Sequence, residues 1–197
     1  METNKLPYHH GKLRETLIEK GIELVSTQGL TGFSLRKVAA ACGVSHAAPY
    51  SHFKNKEELL DAMQAHVTDQ FCQWLERTIT EHPGDPKLMA YLGAAYLSFF
   101  MKNPCYFSFL YTHSNMQIDL TAAEAPGNYK PFEIYKSVLL HVLDEAHYPE
   151  AKREDAVVAL LALVHGITAL ATMDNVHYEH DWEKKVMDFM EILKCSM

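Results

Sequence analysis

Residues Phe33 to Leu60 read FSLRKVAAACGVSHAAPYSHFKNKEELL, and the fold is decided by this stretch. Ser34 stands ahead of Leu35, Val38 and Ala39, an apolar pattern at helical spacing, and predicts a helix cap. Gly43 stops that pattern. Ser45 predicts the cap of a third, very short helix in which Pro49 is the fourth residue. A proline there removes one backbone hydrogen bond and biases Ala48 away from helical angles, so the element is expected to be short and irregular. Asn55 then opens a long helix, with Glu58 as its capping-box partner and Leu59, Met63, Val67, Phe71 and Leu75 as its buried side.

Upstream, Leu13, Leu17, Gly21, Leu24 and Val25 form one face of a first helix, closed near Gly29. Downstream, Pro83-Gly84 ends the long helix at about residue 82, and Asp85-Pro86 and Asn103-Pro104 are two further cap-plus-proline starts. Five more helices are expected, at 86–102, 104–113, 130–147, 150–174 and 181–195, with 114–129 as the long loop. No period-two strand pattern appears, so the fold class is all-α, with about nine helices. The expected division is 1–56 and 57–197, joined by the 55–82 helix.

Two short helices behind a longer one, separated by Gly43-Val44, have the organisation of a helix-turn-helix. In that motif the second short helix enters the DNA major groove with its N-terminal residues at the base edges. Ala47 and Ala48 suit close approach, and their methyls can meet a thymine methyl. Charge agrees. Residues 1–56 hold eight Lys/Arg against four acids, +4, whereas the rest holds ten against twenty-one, −11. A basic head ahead of an acidic body points to a polyanion partner for the head alone.

The quoted stretch resembles the DNA-binding domain of TetR/AcrR-type repressors, through its G-V-S turn, Tyr-x-His-Phe end and K-x-K-E-x-L helix start. PYHHGKLRETL ahead of it resembles one branch of that family. LVHGITAL resembles a Trp-His-Gly motif of one C-terminal domain type, with Val164 where that motif has Trp. The resemblance implies base contacts from Arg36, His46, Ala47 and Ala48. It implies phosphate contacts from Ser34, Ser45, Tyr50, His52 and Lys56. HAAP departs from the family's usual residues at Ala47, Ala48 and Pro49, so the operator sequence does not carry over. Phe53 is expected to pack the third helix on the first, and Tyr50 to expose its hydroxyl with its ring half buried.

The body is dense in aromatic and thioether side chains. Phe99, Phe100, Tyr106, Phe107, Phe109, Leu110, His113, Met116, Tyr129 and His165 are the candidates for an effector pocket. His165 also reads as a satisfied core histidine or an interface group, and Gly166 as a site of close helix approach. Ala156 to Met173 is nearly all apolar. Its dilution by His165, Gly166, Thr168 and Thr172, behind Glu154 and Asp155, favours a helix covered on two faces over a membrane span. A homodimeric four-helix bundle would supply that cover, with Leu160, Val164, Ile167, Leu170, Val186, Phe189 and Met190 as interface candidates.

The resulting expectation is a cytoplasmic, homodimeric regulator, a repressor released from a palindromic double-stranded DNA operator by a small, largely apolar effector. The alternatives are an architectural DNA-binding protein without effector and an enzyme using His165 or Cys105. No catalytic set, metal set or cofactor is expected. Adjacent His9 and His10 do not share a helix face and read as a solvated or phosphate-facing arm. Cys42, Cys72, Cys105 and Cys195 read as free thiols of a reduced compartment, with redox sensing at Cys105 as the alternative.

Overall fold

In the computed structural model, residues 12–121 and 127–192 are described. His9, His10 and Cys195 lie outside them. Among the described residues the chain is helical throughout, with no strand. The elements are α1 (Leu13–Gln28), α2 (Leu35–Ala41), a single 3₁₀ turn (Ala48–Ser51), α3 (Lys56–Glu81), α4 (Leu88–Lys102) and α5 (Pro104–Ser108). A π turn (Phe109–His113), α6 (Lys130–Glu145), a second 3₁₀ turn (Glu150–Lys152), α7 (Arg153–Ala171) and α8 (Trp182–Ile192) follow. The chain divides into two compact units, Met1–Val67 with Ser108–Ser114, and Thr68–Phe107 with Asn115–Met197. The boundary falls inside α3, so one continuous helix contributes residues to both.

In the first unit, α1 buries Leu13, Leu17, Ile18, Ile22 and Val25, a stripe at helical spacing. Ser34 caps α2 as its type requires, its Oγ accepting from the Lys37 N–H at 3.3 Å. The end of α2 is a Schellman motif. Gly43 N–H donates to the Ala40 carbonyl and Val44 N–H to the Ala39 carbonyl, at 3.1 and 3.0 Å. Gly43 holds φ +68° with open space around it, so the backbone angle demands the glycine there. Any side chain at Gly43 would cost about 1–2 kcal/mol. At the start of α3, Asn55 Oδ1 accepts from the Glu58 N–H at 2.8 Å, and the Glu58 carboxylate accepts from the Lys54 N–H at 2.6 Å. The expected capping box is therefore present, with its return bond one residue earlier.

Three expectations are corrected. The third helix is a single 3₁₀ turn that begins at Ala48, not an α-helix capped by Ser45. Its cap position is Ala47, which makes no side-chain cap bond. Starting later puts Pro49 in the first two positions, where its missing N–H costs nothing. The 104–113 helix is α5 followed by a π turn, and that turn belongs to the first unit with Ser108 while the rest of α5 belongs to the second. The segment expected at 150–174 opens with a 3₁₀ turn before α7.

In the second unit, α4 is the central element and packs against α6, α7 and α8. A Cβ on Gly93 of α4 would lie 2.9 Å from Met190 Sδ and 3.0 Å from its Cγ. The glycine is what lets α4 and α8 approach. Phe71 stacks on Phe99 at 4.9 Å between centroids and meets Phe100 at 4.8 Å and Tyr96, edge-on, at 5.3 Å. α7 is long and apolar enough, by length and composition alone, to cross a membrane. It buries Ala156, Val157, Leu160, Val164, Ile167 and Thr168 inside the chain.

Candidate nucleic-acid interface

The Schellman turn after α2 delivers the backbone to His46. Ala48 N–H donates to the Ser45 carbonyl at 3.0 Å, Tyr50 N–H to Ala47 at 3.1 Å, and the His52 and Phe53 N–H groups both donate to Pro49 at 2.9 Å. This tight winding turns Pro49 and Phe53 inward, both buried. It leaves Ser45, His46, Ala47 and Tyr50 exposed, Tyr50 by 54%. The proline that spoils this segment as an α-helix anchors it as a presenter of small and polar groups. Arg14 lies over the Phe53 ring, 5.4 Å from its centroid, and ties the turn to α1.

Arg36, Lys37 and Lys54 are exposed beside this segment and make no ion pair among the described residues. His52 and Ser34 are half-buried. Ser34 Oγ already accepts the cap bond, which leaves its hydroxyl proton to donate outward. Lys56 is turned inward, its Nζ 3.4 Å from the Leu30 carbonyl and 5.8 Å from the Phe33 ring centroid. A link with no signal in the sequence pattern joins α1 to α3, where His66 Nε2 meets Glu19 Oε1 at 2.6 Å. Burial pushes the Cys42 and Cys72 thiols up from their ordinary range, which makes both poor nucleophiles at neutral pH.

The pocket candidates fall in both units. Phe109 and Leu110, buried, and His113, half-buried, sit in the π turn of the first unit. In the second unit Phe99, Phe100, Tyr106 and Tyr129 are buried, and Phe107, Met116 and His165 are half-buried. The ten therefore do not form one cluster inside the second unit. Five of them do make a continuous ring set there: Phe99 against Phe100 and Tyr106, Phe100 against Phe107 at 5.3 Å, and Phe107 against His165 at 5.1 Å. His165 Nδ1 and the Tyr96 hydroxyl share a hydrogen bond of 3.1 Å, and burial holds the imidazole below the usual histidine range. Gln70 Nε2 donates to the Tyr106 hydroxyl at 3.2 Å. Among the described residues, no group of three or more His, Cys, Asp or Glu could hold a metal ion.

Residues 17–63 match the profile of the bacterial regulatory proteins of the tetR family. The Escherichia coli tetracycline repressor protein class C is 44% identical over 50 residues, 25% of this chain and 23% of that protein. Residues 17–63 resemble a TetR-type helix-turn-helix. The alignments with curated relatives span a quarter or less of those proteins, so beyond the TetR-type head the likeness is one of fold. The TetR family transcriptional regulator PfmR from Thermus thermophilus superimposes with a TM-score of 0.68 at 18% identity, covering 95% of this chain and 96% of that one. The fatty acid degradation regulator FadR from Bacillus halodurans does so with a TM-score of 0.66 at 17% identity, covering 95% and 96%. Both extend the shared fold well past the TetR-type head.

Burial within one chain divides the dimer candidates. Leu160, Val164 and Ile167 of α7 and Val186 and Met190 of α8 are core of the single chain. Phe189 is half-buried, its ring 6.2 Å from that of Tyr178. Of the seven, only Leu170 is exposed, at 47%. The open face of α7 instead carries exposed Val158, Ala162 and Leu170 with half-buried Gly166 and Ala169, at helical spacing. A Cβ built on Gly166 meets nothing within 4 Å, so no close helix approach occurs there within one chain. The pattern hid this because α7 is apolar all round, and periodicity cannot choose between two apolar faces.

Proposed function

We propose that the protein is a DNA-binding transcriptional regulator, a repressor that works in the cytoplasm as a homodimer on a palindromic operator. The observation that carries this reading is the edge of exposed His46 and Ala47 and half-buried Ala48, held out by buried Pro49 and Phe53 on a TetR-type head. Arg36, His46, Ala47 and Ala48 would face base edges, and Ser34, Ser45, Tyr50 and His52 the phosphates. The test is operator binding by single variants. His46→Ala is expected to cost about 1–3 kcal/mol at one base pair and to relax preference there. An equal loss on every DNA sequence would remove His46 from base readout.

The homodimer is supported by the open apolar stripe of α7. Only 33% of that helix's most apolar window is buried within one chain. A second copy laid along the stripe would bury the rest, and the small Ala162, Gly166 and Ala169 permit close backbone approach. Dimer symmetry then matches operator symmetry.

A small, largely apolar effector would bind among the second unit's rings, oriented by the few polar tips at Tyr96, Tyr106 and His165. It can release DNA only through different affinities for two dimer shapes. A hundredfold loss of operator affinity needs about 2.7 kcal/mol of coupling, and DNA must weaken the effector by the same factor. Calorimetry with and without operator DNA is expected to show that reciprocity. Equal effector affinity in both cases would leave an architectural DNA-binding protein as the better reading.

A further inference from the structure

We propose that the effector is an uncharged, largely apolar molecule carrying one hydrogen-bond acceptor, a ketone or ester oxygen, and that Thr168 of α7 donates to it. The inference rests on the effector-binding reading and names the chemical class that the second unit would take.

Thr168 is fully buried, and its Oγ1 has no hydrogen-bond partner among the described residues. A threonine inside an α-helix has a partner within reach, because its hydroxyl can donate to the carbonyl four residues back. Elsewhere the chain uses that option. Thr16, Thr27, Thr78, Thr80 and Thr172 each donate to that carbonyl, at 2.8–3.0 Å. Thr172 does so onto Thr168 itself, one turn further along α7. Thr168 does not take the Val164 carbonyl, and its hydroxyl is turned off its own helix into the packed side of α7. A buried hydroxyl without a partner costs a folded chain stability, and such groups are rare in native proteins. Local rules are broken in this way where a site needs the group for something else.

The surroundings set the ligand's charge. Thr168 lies three residues after His165, so the two side chains are neighbours on α7. The His165 ring lies 5.1 Å from that of Phe107, which puts Thr168 beside the end of the ring set. The other polar tips there are engaged, Tyr96 with His165 at 3.1 Å and Tyr106 with Gln70 at 3.2 Å. Among the described residues Lys136 is the one charged side chain in the core, and Glu133 holds it at 2.8 Å. Burial keeps the His165 imidazole below its ordinary range, so it is uncharged at neutral pH. A carboxylate or an ammonium entering here would lose its water with no opposite charge to meet it. A carbonyl oxygen would lose far less, and would take the Thr168 proton.

The experiment uses four probes of nearly one shape: acetophenone, isopropylbenzene, benzoate and benzamidinium. Calorimetry measures their binding to the full-length native protein and to Thr168→Val, which keeps the side chain's shape and removes the hydroxyl. Thermal unfolding compares the two proteins without probe. Acetophenone is expected to bind the native protein and to lose about tenfold in Thr168→Val, while isopropylbenzene binds both alike. Benzoate and benzamidinium are expected to bind at least about a hundredfold more weakly than acetophenone. Without probe, Thr168→Val should unfold about 2–4 °C above the native protein, because it buries no unsatisfied hydroxyl. Equal acetophenone affinity in both proteins overturns the inference, as does isopropylbenzene binding with no acetophenone binding. A charged probe that binds as tightly as acetophenone also overturns it. So does a lower midpoint for Thr168→Val, since the hydroxyl would then have a partner in the free protein. Binding of none of the four would strike the effector-binding reading itself.

Discussion

Ala162→Glu is expected to give a folded monomer that has lost operator affinity by about a thousandfold or more, since specific sites exceed non-specific DNA by 10³ or more and a monomer reads one half-site. Ala162 is exposed on the open stripe of α7, with Val158, Gly166 and Leu170 on the same face. A glutamate there costs nothing in the isolated chain, because water reaches it. In an interface between two copies it would be desolvated beside its own symmetry mate, and an unpaired buried charge is among the largest single penalties available. Sedimentation is expected to show the 22.4 kDa chain alone, against twice that mass for the native protein. Val164→Glu is the control: Val164 is 3% exposed on the opposite face, so this charge should unfold the chain. A native chain that is monomeric at micromolar concentration, or an Ala162→Glu chain that remains dimeric, would remove α7 from the interface.

The two α7 variants also mark where the sequence stops being legible. Helices were readable wherever one apolar stripe faced a polar one, as in α1, or where capping residues stood at fixed offsets, as at Ser34, Asn55 and Gly43. The inward and outward sides of the reader were readable as well, because Phe53 is apolar among polar neighbours. α7 carries apolar residues on every face, so its core and interface sides exchange places without changing the pattern. The π turn at Phe109–His113 continues the aromatic run of the helix before it, and packing on α1 sets it apart. Lys56 shows a third limit. A long flexible side chain can face a phosphate or its own backbone, and its neighbours in space, Leu30 and Phe33, lie more than twenty positions away in the chain.

Phe71→Ala is expected to destabilise the second unit by about 3–5 kcal/mol. The ring is 1% exposed and touches three others at 4.8–5.3 Å between centroids. The cost of such a truncation depends on how far the neighbours collapse into the space. Here each neighbour is held from its other side. Tyr96 is hydrogen-bonded to His165, Phe100 packs on Phe107, and Phe99 lies between Trp74 and Tyr106. None can move inward without giving up a contact of its own, so the cavity should persist and the cost should fall in the upper part of that range. Against a net stability of about 5–15 kcal/mol for a folded domain, this is a large fraction. Both tryptophans, Trp74 and Trp182, lie in the second unit, so fluorescence during denaturant unfolding reports that unit. Phe71→Leu, which fills most of the space, should cost markedly less. A persistent apolar cavity also takes up small apolar molecules, so benzene should raise the thermal midpoint of Phe71→Ala and leave the native protein unchanged. A cost below about 1 kcal/mol, with no benzene effect, would show that the rings relax freely and that Phe71 is not the centre on which α3 and α4 pack.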